Sequence, residues 1–179
     1  MKKISFLLVI VLLFILTACN SYSSNGFIAM NTYMSVTIYN DSNFNKHFND
    51  IKGIYNNISR IADNSKSFSD INNICKLNNN RTIEYDEVIA DMLIKANELK
   101  ELTNGYFNPL ISDLADLWKD AISKNEILSN EVISYELDKM NNSRIEIKED
   151  SISIIGDANI DLGAFAKGYA TELVKEYLE

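Results

Sequence analysis

Hydrophobic residues follow two different periods in the first third of this chain. Apolar and polar residues alternate from Met34 to Tyr39, which is typical of a half-buried strand, and we predict one strand over Phe27–Asn40. After it, apolar residues recur every three or four positions from Phe44 to Ala62. That spacing places them on one face of a helix and predicts a long amphipathic helix here.

The rest of the chain predicts further helices and a hairpin. Asp86 is suited to cap a helix that Asn104-Gly105 would end, and Pro109 is suited to be the first residue of the next helix. The smaller elements expected are a short helix over Ile71–Leu77, a strand over Thr82–Tyr85, a helix over Glu131–Met140, a hairpin of Arg144–Ile147 with Ser151–Ile155, and a final helix reaching Leu178. Interspersed helices and strands predict an α+β fold (a layered α/β domain).

Several apolar side chains of these helices are predicted to point inward. In the helix after Asp86 they include Val88, Leu99 and Leu102, with Ile89, Met92, Leu93 and Ala96. In the helix after Pro109 they are Leu110, Leu114, Leu117, Trp118 and Ile122.

The first twenty residues are typical of an exported protein. Met1-Lys2-Lys3 is basic, Ile4–Leu16 is almost wholly apolar, and small residues precede Cys19, which together describe a secretory signal peptide. The apolar run is shorter than the roughly 20 residues that a spanning helix needs. An uncleaved membrane anchor is the alternative. Both interpretations place the rest of the chain outside the cytoplasm.

Leu16-Thr17-Ala18-Cys19 resembles a bacterial lipobox, in which the cysteine receives diacylglycerol and becomes the new N-terminus. We therefore expect residues 1–18 to be a lipoprotein signal peptide and lipidation at Cys19. Residues 19–26 are expected to be a polar tether, and residues 27–179 one domain. The expected location is the outer face of the cell membrane.

Composition excludes several classes of function. The chain has a net charge of -8 and a pI near 4.7, which argues against nucleic-acid binding and against adhesion to anionic lipid by charge. If Cys19 is lipidated, Cys75 has no disulfide partner, and we predict a small buried residue there. The single His47 is predicted to lie on the surface. The residue types and spacings supply no zinc cluster, catalytic triad or Gly-rich phosphate loop.

The segment Asp161–Ala170 carries the strongest chemical signal. An expected strand runs into a helix through an acidic residue and Gly163, and such a junction presents free N–H groups that suit an anion such as phosphate. Asp161 could cap the helix or accept hydrogen bonds from a ligand. Lys167, one turn into the helix, could reach a phosphate or a carboxylate, and Gly168 would permit close packing. An ordinary capped helix with Lys167 in solvent is the alternative.

A second candidate segment is the turn Thr103–Pro109, which contains Tyr106 and Phe107 just before an expected helix start. Aromatic faces at a helix N-terminus could stack on a planar ring near a phosphate. The alternative is that the two rings fix the loop onto the core.

Four segments together, in this order, resemble the ApbE-type FAD:protein FMN transferases. Met30–Ile38 is similar to the family's Met-Gly-Thr strand, and Ser69–Asn78 to its segment with serine, an acidic residue and isoleucine followed by leucine and asparagine. Thr103–Trp118 resembles its Thr-x-Gly-x-Phe-Asp-Pro segment. Asp161–Ala170 looks like its Asp-Leu-Gly-Gly-Ile-Ala-Lys-Gly-Tyr-Ala motif, the most specific of the four.

The resemblance implies an activity, its cofactors and a set of residues. Members of the family use magnesium to transfer the FMN half of FAD to a threonine of an exported or membrane protein, and they release AMP. This reaction is a phosphoryl transfer, in which catalysis depends mainly on positioning the phosphates and neutralising their charge. It implies contacts to FAD from Met30, Tyr106, Phe107, Asn108, Asp161 and Lys167, with Phe68 stacking on the flavin, and a magnesium ligand in the backbone carbonyl of Ala164. The resemblance assigns no catalytic residue.

This chain departs from the family pattern in four places. Asn31 and Ala164 replace glycines, and Asn108 replaces an acid. The family's later segment, with the aspartate and threonine that complete the magnesium site, is absent after Glu179, so we expect a domain that is incomplete at its C-terminus. The alternatives to a working transferase are therefore a membrane-tethered flavin-binding lipoprotein and an inactive fragment.

Overall fold

The computed structural model describes residues 21–62 and 82–179. In chain order its elements are β1 (Tyr22–Ala29), β2 (Thr32–Tyr39), α1 (Phe44–Ala62), β3 (Thr82–Glu84), α2 (Glu87–Leu102), α3 (Ser112–Lys124), α4 (Asn130–Asn141), β4 (Arg144–Ile147), β5 (Ser151–Ile155) and α5 (Ala166–Leu178). The predicted α+β class is confirmed. The elements belong to two compact units, residues up to Lys52 and residues from Gly53 onward.

The first unit contains an antiparallel hairpin where we predicted one strand. β1 pairs with β2 from Tyr22 opposite Tyr39 to Ala29 opposite Thr32, and Met30 and Asn31 form the turn. Both turn residues have positive φ, 49° and 55°, as a tight two-residue hairpin turn requires. Asn tolerates this conformation, so Asn31 serves where the family has glycine. The one-strand prediction was wrong because only β2 shows clear alternation.

β1 also includes residues that we had assigned to the polar tether. Residues 22–26 pair along β2, although all but Gly26 are exposed. Because their side chains are mostly polar, no hydrophobic pattern indicated a strand here, whereas backbone pairing does not require an apolar face. Ser24 and Thr37 share a hydrogen bond of 2.9 Å across the pair.

The second unit is built on a three-stranded antiparallel sheet in the order β3-β5-β4. The central β5 buries Ile152 and Ile154, which are 0% and 2% exposed. The buried residues of the helices and of the loop before α5 complete this core: Ile58, Ile61, Ile89, Met92, Leu93, Ala96, Ile160, Leu162, Ala166, Tyr169 and Ala170. The predicted hairpin of β4 with β5 is confirmed, with the turn at residues 148–150.

The helix boundaries agree with their predicted capping signals, except before α3 and α5. Asp86 caps α2 by accepting a hydrogen bond from the Ile89 N–H at 3.0 Å, and Asn104 and Gly105 follow with positive φ. Pro109, however, does not begin a helix: it lies in a turn, and α3 starts at Ser112. The Asn108 side chain and the backbone of the Asp161 region bind the chain at this turn instead, as described below.

Several side chains that we predicted to point inward are exposed. They are Val88, Leu102 and Ile122, at 37%, 81% and 71% exposure. Each lies in an element that has a buried face, but helical spacing alone does not show how wide that face is. Within residues 21–62 and 82–179, no helix combines the length and apolar character needed to span a bilayer.

Candidate functional site

Two loops of the second unit lie side by side and bring together most of the predicted site residues. We call residues 103–111 the Asn108 loop and residues 156–165 the Asp161 loop. The Asp161 N–H donates to the Pro109 carbonyl at 2.9 Å, and the Ser112 N–H donates to the Asn159 carbonyl at 3.3 Å. These two bonds pair the backbones of two segments that are far apart in sequence.

The Asp161 carboxylate holds a tight turn rather than capping a helix. Its Oδ1 accepts a hydrogen bond from the Gly163 N–H at 2.6 Å. Helix α5 begins later, at Ala166, after an N-cap residue, Phe165, that makes no side-chain capping bond. Asp161 also does not end a strand, since residues 158–162 belong to no sheet. The start of α5 has no acidic residue in its first turn, so the positive end of its dipole is not neutralised locally.

Two lysines lie beside this turn. The Lys119 Nζ is 3.9 Å from Asp161 Oδ2 and 2.8 Å from Asp116 Oδ1. The hydrogen bond with Asp116 raises the pKa of Lys119, so its ammonium stays charged at neutral pH. The Lys167 Nζ is 3.4 Å from the Gly163 carbonyl oxygen. The turn therefore carries one carboxylate and two ammonium groups, an arrangement suited to a ligand with phosphate and hydroxyl groups.

The buried Asn108 side chain fixes the neighbouring loop. Asn108 is 4% exposed, and its Oδ1 accepts a hydrogen bond from the Leu110 N–H at 3.0 Å, which closes the turn around Pro109. At the other end of the loop, the Phe107 N–H donates to Thr103 Oγ1 at 3.1 Å. Asn108 acts within its own loop, so the structure gives it a role in shaping the turn.

The two predicted aromatic residues of this loop differ in their surroundings. Tyr106 is 95% exposed. The Phe107 ring lies 6.0 Å from that of Phe165 in the other loop, and the Phe165 ring stacks on Tyr169 at 5.9 Å. Phe107 thus fixes its loop to the Asp161 loop, as the packing alternative predicted, while the Tyr106 ring is accessible to a ligand.

Asp113, in the first turn of α3, also holds the Asp161 loop and was missed in the sequence. Its Oδ1 accepts from the Asn159 Nδ2 at 2.8 Å, its Oδ2 accepts from the Asn159 N–H at 3.3 Å, and Lys139 pairs with it at 3.0 Å. Lys119 and Phe165 were missed as well. Lys119 is one turn after Asp116 in an ordinary surface pattern, and no local signal connects it with Asp161.

The described residues do not form a magnesium site by themselves. This ion prefers about six oxygen ligands. The Asp161 loop offers the Asp161 carboxylate and, on its exposed turn, the predicted carbonyl of Ala164. No group of three or more His, Cys, Asp or Glu side chains able to hold a metal occurs among the described residues. The described residues therefore offer magnesium these two oxygen groups and not a complete set of ligands.

Three of the predicted functional residues do not belong to these two loops or to α5. Met30 is in the hairpin turn of the first unit and is partly buried. Phe68 and Cys19 lie outside the described residues, as does Ser69–Asn78. Gly168, which we expected to allow close packing, is exposed, and a Cβ built there meets no described atom within 4 Å.

Comparisons with known proteins identify this arrangement. The model of the ApbE family matches residues 30–179. The fold is similar to the ApbE protein of Thermotoga maritima, at 25% identity and a TM-score of 0.69, over 87% of this chain and 52% of that one. It is also similar to the flavinyl transferase ApbE of Pseudomonas stutzeri, at 16% identity and a TM-score of 0.72, over 89% of this chain and 53% of that one. The flavin transferase ApbE of Vibrio cholerae matches at 15% identity and a TM-score of 0.72, over 89% of this chain and 54% of that one.

Two further facts qualify these matches. The chain spans about half the length of each of the solved structures it matches. No curated protein matches it.

The Asn108 turn generates a prediction about stability. Asn108→Ala should lower the free energy of unfolding by about 1–3 kcal/mol, because it leaves the Leu110 N–H buried without its acceptor. Asn108→Asp is the matched control: it keeps an acceptor oxygen at that position and restores the family's acid. Urea unfolding followed by circular dichroism measures both variants. Equal stability of Asn108→Ala and the unmodified protein would contradict this account of the turn.

Proposed function

Because the chain belongs to the ApbE family, we propose that it acts in the transfer of FMN from FAD to a threonine of an exported or membrane protein. In that reaction the threonine Oγ forms a bond to the phosphorus of the FMN half, and the bond from this phosphorus to the bridging oxygen of the pyrophosphate breaks. AMP leaves with the bridging oxygen, and the threonine proton passes to solvent or to a base. No described residue is assigned as that base.

One observation carries the proposal: the Asp161 turn is paired directly with the Asn108 loop. This pairing places the carboxylate of Asp161 and the ammonium groups of Lys119 and Lys167 on one turn, beside the N-terminus of α5. Phosphoryl transfer needs its phosphates positioned and their charge neutralised, and both lysines can serve that purpose. The Asp161 carboxylate can accept hydrogen bonds from ligand N–H or hydroxyl groups.

The aromatic residues support binding of a planar ring at the same place. The Tyr106 ring is almost fully exposed next to the paired loops and can stack on one ring system of FAD. A cofactor contact from Met30 and a flavin contact from Phe68 remain part of the proposal and rest on the resemblance alone. Magnesium also belongs to the proposal only through the family, with Ala164 as one ligand.

A flavin-binding lipoprotein without transfer activity is the second candidate. The charged groups on the Asp161 turn support ligand binding in this candidate as they do in the transferase. Binding of FAD without transfer to a threonine peptide would separate this candidate from the transferase.

We further propose that the protein is anchored by diacylglycerol on Cys19 at the outer face of the membrane. Only two residues lie between Cys19 and Tyr22, where β1 starts, so the hairpin can be at most about 11 Å of chain from the lipidated residue. Residues 21–40 contain no Asp, Glu, Lys or Arg. A hairpin without ionic charge suits a position next to anionic lipid, although the chain as a whole is acidic.

FAD binding is the first measurement, read by flavin fluorescence on the chain that starts at Asn20, with and without magnesium. We expect saturable binding. Asp161→Asn should weaken it by about tenfold or more, because an amide can still accept from Gly163 N–H but loses the charge. The fold should be unchanged by circular dichroism. Unchanged FAD affinity in the variant would remove Asp161 from the site.

Two glycines of the same motif offer a matched pair of variants. A Cβ at Gly163 would lie 2.9 Å from Asp161 Oδ1, so Gly163→Ala must displace the carboxylate, and FAD affinity should fall several-fold. At Gly168 a Cβ meets nothing described, and Ala is the better helix former by about 1 kcal/mol. Gly168→Ala should therefore keep FAD affinity and raise the melting temperature. Equal effects of the two variants on affinity would contradict the geometry of the turn.

Anchoring is tested by Cys19→Ala with Cys75→Ala as control. Loss of two acyl chains removes the strong membrane attachment, so most of the Cys19→Ala protein should move to the soluble fraction or stay unprocessed. The Cys75→Ala protein should fractionate like the unmodified one. Mass spectrometry of the mature N-terminal peptide should show diacylglycerol on Cys19. A mature protein that keeps residues 1–18 and carries no lipid would support the uncleaved anchor instead.

A further inference from the structure

Tyr169 on α5 is a buried tyrosine that the proposed function does not yet use. It is 5% exposed, and its hydroxyl donates to the Asp91 Oδ2 on α2 at 2.7 Å. Burial, together with this hydrogen bond to a carboxylate, raises the pKa of Tyr169 far above its ordinary value. The hydroxyl therefore stays protonated at any physiological pH and can act as a permanent donor to Asp91.

Asp91 is itself held in place by a lysine of the same helix. The Lys95 Nζ is 2.9 Å from Asp91 Oδ2, one helical turn away, and lies 5.4 Å from the centre of the Tyr169 ring. Burial raises the pKa of Asp91, but the hydrogen bonds from Tyr169 and Lys95 outweigh this and lower it below its ordinary value. The tyrosine ring is thus oriented by a carboxylate on its hydroxyl and an ammonium over its face.

From Tyr169 an aromatic ladder leads into the candidate site. We define this ladder as Tyr169, Phe165 and Phe107. Phe165 stacks on Tyr169 with 28° between the ring planes, and the Phe107 ring is inclined by 35° to that of Phe165. Phe165 ends the Asp161 loop and directly follows Ala164, and Phe107 belongs to the Asn108 loop. The ladder therefore connects α2 with both loops of the site.

We propose that Tyr169 and Asp91 are positioning residues of the flavin site, which hold the aromatic ladder and thereby the Asp161 turn; this rests on the proposed FAD binding. A phenylalanine at residue 169 would fill nearly the same space and stack on Phe165 equally well. The hydroxyl adds the short bond to Asp91 and a longer one, 3.5 Å, to the Val88 carbonyl, and both fix where the ring lies along α2. The motif around Asp161 gives no indication of the bond to Asp91, because Asp91 lies in a helix that is far from Asp161 in sequence.

FAD affinity of the full chain, purified in detergent, tests this proposal. Tyr169→Phe and Asp91→Ala should each weaken binding by about 2- to 30-fold, the range for substitutions that act through packed neighbours. The double variant should bind FAD about as tightly as the single variant with the lower affinity, because the two substitutions remove the same hydrogen bond. Asp91→Asn keeps an acceptor oxygen and should bind more tightly than Asp91→Ala. Tyr135→Phe, on an exposed residue of α4, should match the unmodified protein.

Amide hydrogen exchange in the absence of FAD separates positioning from general stability. In Tyr169→Phe, the Gly163 N–H, which binds Asp161, should exchange several-fold faster, whereas the Ile152 N–H in the central strand β5 should not change. Equal acceleration at both amides would show a purely structural role and overturn the proposal. So would unchanged exchange at Gly163 with unchanged FAD affinity.

The affinity and exchange measurements also distinguish a failure of the proposed function from a failure of the positioning role of Tyr169 and Asp91. If the unmodified chain binds no FAD, the proposed function fails. The exchange result at Gly163 then decides alone whether Tyr169 and Asp91 position the turn.

Discussion

The candidate site depends on the burial of two side chains, Ile160 and Leu162, on either side of Asp161. Both are fully buried, and removal of each from water stabilises the fold by about 1.5–3 kcal/mol. With both neighbours held in the core, the Asp161 carboxylate stays at the edge of the core, with 18% of its side chain exposed. The turn that follows, the entry into α5 and the contact with Pro109 all start from this fixed point.

The two loops are joined by backbone and side-chain bonds that complement that burial. Two backbone hydrogen bonds satisfy polar groups next to the core: the Asp161 N–H donates to the Pro109 carbonyl, and the Ser112 N–H donates to the Asn159 carbonyl. The Asp113 side chain also binds Asn159. Unpaired backbone groups in such a place are costly, so the pairing follows from burial. The same bonds explain why Pro109 opens no helix: the chain must reach Ser112 in an irregular conformation to make them.

Local patterns in the sequence predicted most elements of the described chain, and the reasons for the errors are physical. α1 and the hairpin of β4 with β5 were predicted because each has a clear hydrophobic period. The first part of β1, residues 22–26, was missed because its side chains are mostly polar and exposed, while backbone pairing alone makes it a strand. The exposure of Leu102 and Ile122 could not be predicted, since a helical period gives the direction of a face but not its width.

For the site, the family resemblance pointed to Thr103–Trp118 and Asp161–Ala170, and the structure adds the residues that connect these two segments. Lys119, Asp113 and Asp91 gave no signal, because each lies in a helix whose own pattern explains its presence. Tyr169 stood in the Asp161–Ala170 motif, but nothing there pointed to Asp91. Lys119 shows why such residues matter. Its contact with Asp161 is long, at 3.9 Å, and largely solvated, so it is worth about 0–1 kcal/mol. A phosphate at the turn can replace this contact at little cost, while Lys119 keeps its 2.8 Å ion pair with Asp116.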